Sequence, residues 1–191
     1  LFNQETLWMI SYIVTKGYFE IIYKPEIIKS IINNITFSDD RISRPSIRII
    51  GDLTTENSFV VDFLIRNGIV DKLKQLLSLE EMTSVHKEAL WGLSNIVADT
   101  KEHVQVVIDS KILDIVYDYA IRKKKSKKYT NDIANEAAYC IINAVHNATI
   151  NQMEYLKKFK GIKEFITNQI GEEYIILKHW LLGCNNMDST P

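Results

Sequence analysis

Apolar residues recur along most of this chain at the three- and four-residue spacing that predicts amphipathic helices. The clearest run extends from Ser58 to Val97. It contains a short apolar segment, a helix stop at Asn67-Gly68, a second segment at Ile69 to Leu77 and a third, longer one at Val85 to Val97. This part of the chain is therefore predicted to form a short, a medium and a long helix.

The same order of helices recurs on both sides of this unit. Downstream helices are predicted at 103–108, 112–120, 133–145, 153–159, 162–170 and 174–182; upstream ones are predicted at 2–14, 26–35 and 46–53, with a compressed first helix near 18–23. A helical unit that recurs every forty-odd residues predicts an all-α, armadillo-repeat, right-handed superhelical solenoid. We expect one array over 1–191 with four to five repeats, the first partial, in approximate units 1–17, 18–57, 58–100, 101–149 and 150–191.

The last helices of these units share a second pattern, in which two marked residues stand four positions apart. The pairs are Trp8 and Tyr12, Arg48 and Asp52, Trp91 and Asn95, and Tyr139 and Asn143. Residues at i and i+4 share one face of a helix, so we predict that the pairs form a ladder along one concave surface. Their first members are separated by 40, 43 and 48 residues.

A ladder of this kind suits an extended, basic peptide. Aromatic walls about 10 Å apart leave slots for the stem of Lys or Arg, and each cation–π contact contributes about 0.5–2 kcal/mol. The amide can both donate to and accept from a peptide backbone. Glu88 and Glu136 each precede an aromatic by three residues and add negative charge to the same face. The alternative is that Trp91 and Tyr139 are core aromatics, but unpaired buried amides cost about 1–3 kcal/mol, so an amide in register favours a surface ladder.

Composition narrows the class of protein. With 46% hydrophobic residues but only 7 Gly and 3 Pro, the chain favours helices with a continuous core. The net charge of −1 argues against nucleic acid as a partner, and the lack of a long apolar stretch argues against a membrane. The two cysteines, Cys140 and Cys184, predict a reducing compartment. Since there is neither an initiating Met nor a signal peptide, we expect a piece of a longer protein.

Sequence signatures of catalysis are absent, so we predict no enzyme activity and no cofactor. The chain has no Gly-rich phosphate loop, no His-Glu-x-x-His pair and no close set of Cys and His ligands. The lysine-rich segment Lys123 to Lys128 is interpreted as a solvated loop inserted between a middle and a last helix, with a basic binding patch as the alternative. We expect it not to inhibit the ladder of its own chain.

Motifs along nearly the whole chain resemble the importin-alpha (karyopherin-alpha) family of armadillo adaptors. The last helices of that family end in Trp-x-x-x-Asn, with one repeat changed to Trp-x-x-x-Tyr and the next to Arg-x-x-Gly-Asn. The matching segments here are 7–12, 47–52, 87–96 and 135–143, and 103–109 resembles the family's Gln-Ala-Val-Ile-Asp first helix. Their order resembles the half of the family that carries the minor site for nuclear localization signals.

The resemblance implies a nuclear-import adaptor that binds basic nuclear localization signals of cargo proteins and is found in cytoplasm and nucleus. The implied peptide-binding residues are Arg48, Asp52, Glu88, Trp91, Ser94, Asn95, Glu136, Tyr139 and Asn143, with Trp8 and Tyr12 upstream. Further implied partners are the nuclear export receptor for importin-alpha and importin-beta. We expect the segment that binds importin-beta, and the major-site repeats, to lie outside this chain.

Three positions depart from the family pattern. Tyr139 replaces Trp, Asp52 replaces Asn, and Lys111 stands where the family usually has Gly. The alternative function is an armadillo scaffold of the catenin-like type, whose groove holds a structural or signalling partner and normally lacks a regular ladder.

Overall fold

The computed structural model describes residues 2–79, 82–121 and 131–170, in which all regular secondary structure is helical. The helices are α1 (Gln4–Thr15), α2 (Pro25–Asn34), α3 (Asp40–Leu53), α4 (Ser58–Arg66), α5 (Ile69–Leu77), α6 (Thr83–Asp99), α7 (Lys101–Asp109), α8 (Ile112–Ile121), α9 (Asn131–Asn147), α10 (Ile150–Leu156) and α11 (Ile162–Ile170). A 3₁₀ turn, Phe19–Ile21, precedes α2. The predicted all-α solenoid is confirmed.

Local signals fix where most of these helices begin and end. The predicted stop at Asn67-Gly68 is correct: Asn67 caps α4, and Gly68 has a left-handed φ of 81°, which glycine adopts without steric cost. The compressed first helix predicted near 18–23 is only the 3₁₀ turn. The helix predicted at 153–159 instead covers Ile150–Leu156, because Thr149 and Gln152 form a capping box that starts it earlier.

Helix α3 begins earlier than the predicted 46–53. It runs from Asp40 and contains Pro45, a residue that ordinarily ends a helix because it lacks an N–H. Asp39 starts the helix by accepting a hydrogen bond from the Arg41 N–H, and Ser43 Oγ donates to Thr36 O at 2.7 Å. These contacts fix the first turns and offset the loss at Pro45.

The long last helices α1, α3, α6 and α9 pack side by side in that order. The middle helices α2, α5 and α8 pack against α3, α6 and α9 respectively, and α5 also contacts α8. One continuous set of buried aliphatic side chains runs between these layers. The repeats therefore share one core, as expected of a solenoid.

In the part of the chain that the structure describes, no helix is long and apolar enough to cross a bilayer. The predicted helix at 174–182 and the segment Lys123 to Lys128 lie outside the described residues.

Candidate peptide-binding site

Helices α3 and α6 approach each other most closely where Gly51 faces Trp91 and Gly92. A Cβ atom on Gly51 would lie 2.3 Å from Cζ3 of the Trp91 ring, so the indole lies directly against the α3 backbone. A Cβ on Gly92 would lie 3.6 Å from Gly51 Cα, which is ordinary van der Waals contact. Trp91 is half-buried, and α3 therefore supports one side of its ring.

The two ladder asparagines connect each last helix to the one before it in the same register. Asn95 Nδ2 donates to Gly51 O at 3.4 Å, and Asn143 Nδ2 donates to Ser94 O at 3.4 Å and to Ser94 Oγ at 3.0 Å. Gly51 and Ser94 are equivalent positions, each three residues after the first member of its pair. Asn95 Nδ2 thus commits one hydrogen bond to the fold and Asn143 Nδ2 commits two, and within the described ranges neither Oδ1 accepts a hydrogen bond.

Asp52 occupies the position of the asparagines but makes a different contact. A carboxylate has no hydrogen to donate to a carbonyl. Asp52 Oδ2 instead accepts from Thr15 Oγ1 at 2.8 Å, which joins α3 to the end of α1. Burial raises the pKa of Asp52, while the Thr15 hydroxyl and the nearby Arg48 oppose this shift.

A surface pocket of about 200 Å³ lies where α3, α6 and α9 meet. Its walls are Arg48, Lys87, Glu88, Trp91 and Glu136. The structure therefore brings four of the sequence-predicted site residues together and adds Lys87, which the sequence analysis did not assign to the site. We call this cavity the ladder pocket.

Glu88 is only 8% exposed and its charge already has partners within the chain. Its Oε1 lies 3.6 Å from Arg48 Nη1 and 3.7 Å from Arg44 Nε. Sequence analysis predicted Glu88 as an acceptor for ligand cations, but in this arrangement a ligand would have to compete with two guanidinium groups.

Glu136 is the other carboxylate of the ladder pocket, and it makes no ion pair within 4 Å with a described residue. Lys87, a cation in the same pocket, pairs with Asp132 at 3.1 Å. Burial raises the pKa of Glu136, the neighbouring Glu88 and Asp132 reinforce this shift, and Lys87 opposes it. Glu136 is therefore a partly buried acid that a bound cation would stabilise in its charged form.

The remaining ladder residues lie outside the ladder pocket. Tyr139 is 60% exposed on α9, one turn after Glu136 and one turn before Asn143. Trp8 and Tyr12 are exposed on α1, where the Lys16 ammonium lies 5.6 Å from the centre of the Tyr12 ring. The slot beside Tyr12 thus already contains a cation from its own chain.

Sequence reasoning missed two cations of this surface, Arg44 and Lys87. Both stand four residues before a ladder residue, Arg48 and Trp91 respectively. The i, i+4 rule that linked each aromatic to its amide would have found them if applied towards the N-terminus as well.

Comparison with known families places an armadillo repeat at the centre of this surface. Residues 60–98, which include Trp91 and Asn95, match the Armadillo/beta-catenin-like repeat family. Importin subunit alpha-6 of Arabidopsis thaliana is 34% identical over 58 residues, which cover 30% of this chain and 11% of that protein. Importin subunit alpha-1a of Oryza sativa subsp. japonica is 24% identical over 111 residues, or 57% of this chain and 21% of that protein. The aligned part thus spans 11% and 21% of the length of these two relatives.

Solved structures with the same fold include designed armadillo repeat proteins. One, in complex with the peptide (KR)4, has a TM-score of 0.66 and 18% identity over 96% of this chain and 75% of that chain. Another, designed computationally for modular peptide recognition, has a TM-score of 0.69 and 17% identity over 94% of this chain and 74% of that chain. At such identities the likeness establishes the fold alone. The chain is therefore an all-α solenoid with an armadillo/beta-catenin-like repeat at residues 60–98.

Proposed function

We propose that the face carrying the ladder binds an extended basic peptide and performs no chemistry on it. The observation that carries this proposal is the ladder pocket, where the partly buried carboxylate of Glu136 shares a cavity with the half-buried indole of Trp91. The aliphatic stem of a Lys or Arg would pack against the ring while its charge meets the carboxylate. Such a residue would supply the ion partner that Glu136 lacks among the described residues.

The asparagines would hold the peptide backbone beside this pocket. Asn95 Nδ2 keeps one hydrogen beyond its bond to the preceding helix, and the Oδ1 of both Asn95 and Asn143 is an acceptor. Because the bond to the preceding helix fixes the orientation of each amide, less side-chain entropy is lost on binding. The repeated register would space these contacts about 10 Å apart, or about three residues of an extended chain.

The finer proposal is a part of a nuclear-import adaptor whose ligands are basic nuclear localization signals of cargo proteins. It is supported by the similarity to importin alpha subunits and by the ladder motifs at Trp91-Asn95 and Tyr139-Asn143. The designed protein that has this fold and holds (KR)4 supports the basic peptide class. Importin-beta and the export receptor for importin-alpha would then bind elsewhere on the complete protein, which would act in cytoplasm and nucleus.

The second candidate, an armadillo scaffold, is favoured by the family match at residues 60–98, which is to the armadillo/beta-catenin-like repeat in general. The two functions differ in ligand. An import adaptor requires basic side chains, whereas a scaffold need not discriminate between a basic peptide and the same peptide with its lysines changed to alanine.

A fluorescence-anisotropy titration of the 191-residue chain with labelled (KR)4 tests the basic-peptide function. We expect binding that is at least tenfold weaker for the peptide in which Ala replaces each Lys and each Arg. Trp91→Ala should weaken binding more than Tyr139→Ala, because indole is the better cation partner. Glu136→Gln should also weaken binding and remove its loss at acid pH, since only the ionised carboxyl pairs with a cation.

The matched control is Glu154→Gln, which removes an exposed carboxylate of α10 that pairs locally with Lys157. It should leave the affinity unchanged. Equal binding of the basic and the alanine peptide by the folded chain would reject the import-adaptor function in favour of the scaffold.

A further inference from the structure

We infer that the ligand of this surface also carries an acidic side chain, which binds Arg44 and Arg48 beside the ladder pocket. This inference rests on the proposed peptide-binding function and specifies its ligand further. It concerns the contact between α3 and α6, where two arginines share one glutamate. At the contact between α6 and α9, in contrast, one glutamate has no ion pair with a described residue.

Arg44 and Arg48 lie one turn apart on α3 and turn towards the same atom, Glu88 Oε1. The two distances, 3.7 and 3.6 Å, are ion-pair contacts longer than a hydrogen bond. Within the described ranges neither guanidinium donates a side-chain hydrogen bond. Each guanidinium has five N–H donors, so this pair presents many donors for a single, nearly buried carboxylate.

Both arginine side chains are accessible to a ligand. Their exposed fractions are 49% for Arg44 and 42% for Arg48, against 10% for the Glu88 side chain between them. Arg48 also lines the ladder pocket, so a side chain that fills this pocket contacts Arg48 and lies one helical turn from Arg44.

At the contact between α6 and α9 the balance of charged groups is the reverse, with more carboxylates than cations. Its cation, Lys87, is paired with Asp132 at 3.1 Å, and its second carboxylate, Glu136, makes no ion pair with a described residue. Donors are therefore in excess at α3/α6, and an acceptor is in excess at α6/α9. A peptide with one acidic and one basic residue satisfies both, whereas a purely basic peptide leaves the guanidinium donors to water.

Two further carboxylates, Asp40 and Asp52, lie one turn beyond the arginine pair on α3. Asp40 Oδ2 accepts from Ser84 Oγ at 2.6 Å and Asp52 Oδ2 accepts from Thr15 Oγ1 at 2.8 Å. Neither comes within ion-pair distance of Arg44 or Arg48, although Asp52 and Arg48 attract each other at longer range. They weaken the local positive potential without using the guanidinium donors, so the expected gain from an acidic residue is modest.

The spacing follows from the shared pocket. Arg48 and Glu136 both line the ladder pocket, and neighbouring last helices are about 10 Å apart. An extended peptide advances about 3.3 Å per residue, so the acidic and basic residues should be two or three positions apart. A carboxylate also matches the planar fork of a guanidinium, which favours it over a neutral acceptor.

A glutamate scan of a basic host peptide tests the inference. Labelled peptides with a central Lys-Arg pair carry Glu, or Gln as the neutral match, at each of the three positions on either side. We expect one position, two or three residues from the pair, at which Glu binds about two- to fivefold more tightly than Gln, the range of an exposed ion pair.

Arg44→Ala should reduce this preference for Glu, whatever it does to the affinity of the Gln peptide, because only Arg48 then remains to bind the carboxylate. The matched control is Arg41→Ala on the same helix, because Arg41 is 72% exposed and already binds Asp39 through two hydrogen bonds. It should retain the preference. Thermal melts by circular dichroism confirm that both variants are folded.

Three outcomes overturn the inference. If the basic host binds but Glu is never preferred to Gln, the arginine pair has no acidic ligand and the proposed basic-peptide function still stands. If Glu is preferred equally by Arg44→Ala and the parent chain, the preference arises elsewhere. Failure of the host peptide itself to bind would instead reject the proposed function, and this inference with it.

Discussion

The contacts α3–α6 and α6–α9 contrast with α1–α3, although all three join equivalent helices. In the first two, an asparagine amide donates to a carbonyl of the preceding helix, as Asn95 does to Gly51 and Asn143 to Ser94. In the third, Asp52 has no hydrogen to donate and accepts from the Thr15 hydroxyl. One atom of difference between amide and carboxylate therefore changes both the partner and the direction of the hydrogen bond.

Because of this difference, α6 and α9 each hold a neutral side chain in a fixed orientation, whereas α3 holds a partly buried carboxylate. The amides are neutral and fixed by the neighbouring helix, which suits them to hold a ligand backbone. Asp52 is partly buried, and burial raises its pKa, so the folded state carries an electrostatic cost at neutral pH. The amide-linked pairs should therefore tolerate pH changes that the α1–α3 pair does not.

Gly51→Ala should have the largest effect, because it adds a side chain where α3 and α6 lie closest together. The added Cβ would lie 2.3 Å from Cζ3 and 2.5 Å from Cε3 of the rigid Trp91 ring. Overpacking of this kind costs about 1–3 kcal/mol, which exceeds the roughly 1 kcal/mol that Ala gains over Gly in a helix. We expect a lower urea midpoint and weaker peptide binding, because the indole has to leave its place.

The matched control is Gly92→Ala, across the same contact. Its Cβ would meet Gly51 Cα at 3.6 Å, so helix propensity should dominate and raise stability by about 0.5–1 kcal/mol. If both substitutions change the urea midpoint in the same direction, the close packing of Trp91 on Gly51 is wrong. A Trp91→Ala background should remove most of the cost of Gly51→Ala.

Asn143→Ala should have the second-largest effect, and it tests the contribution of the amide hydrogen bonds between helices. It removes hydrogen bonds from Nδ2 to both Ser94 O and Ser94 Oγ, and we expect a loss of about 1 kcal/mol in the free energy of unfolding. Asn95→Ala should cost less, because Asn95 makes one longer bond, at 3.4 Å to Gly51 O. Urea denaturation of the two variants gives the order, and an equal or larger loss for Asn95→Ala would contradict it.

The fold could be predicted from sequence because each repeat carries its own helical period and stop signals. The stop at Asn67-Gly68 is an example, since the left-handed φ of Gly68 is a local property of the chain. The start of α3 could not be read in this way. The sequence analysis began this helix at Ser46, whereas the structure begins it at Asp40 and continues it through Pro45, supported by the hydrogen bond between Ser43 and Thr36.

The candidate site was predictable in register but not in charge pairing. The i, i+4 spacing identified Trp91 and Asn95 as neighbours on one helix face. It gave no indication that Glu88 is shared by Arg44 and Arg48, because that contact joins residues about forty positions apart. Among the described residues, packing between repeats decides that Glu88, and not Glu136, pairs with arginines of the neighbouring helix. The periodicity of the sequence gives no distance between residues of different repeats, so it could not predict this pairing.

Asp52→Asn should have the smallest effect, and it tests the comparison directly by restoring the amide. The new side chain still accepts from Thr15, removes a partly buried charge, and places an amide opposite Ser11, the α1 residue equivalent to Gly51 and Ser94. After allowance for solvent screening at this partly exposed site, we expect a gain of about 0.5 kcal/mol at neutral pH.

The pH dependence of that gain follows from the direction of the shift. The pKa of Asp52 in the folded chain is raised above its ordinary value of 3.8, so the folded state holds its proton more tightly than the unfolded state does. The parent chain therefore loses stability from this group as the pH rises from 3.8 through the raised pKa. Asp52→Asn does not titrate, so its advantage should be present at about pH 7 and should shrink towards about pH 3, where Asp52 is protonated in both states. Urea midpoints of both chains at the two pH values measure this, with Asp71→Asn at an exposed position of α5 as a control for the general loss of one carboxylate. A gain that is the same at both pH values would mean that hydrogen bonding by the amide, and not removal of a buried charge, distinguishes α1–α3 from the other pairs.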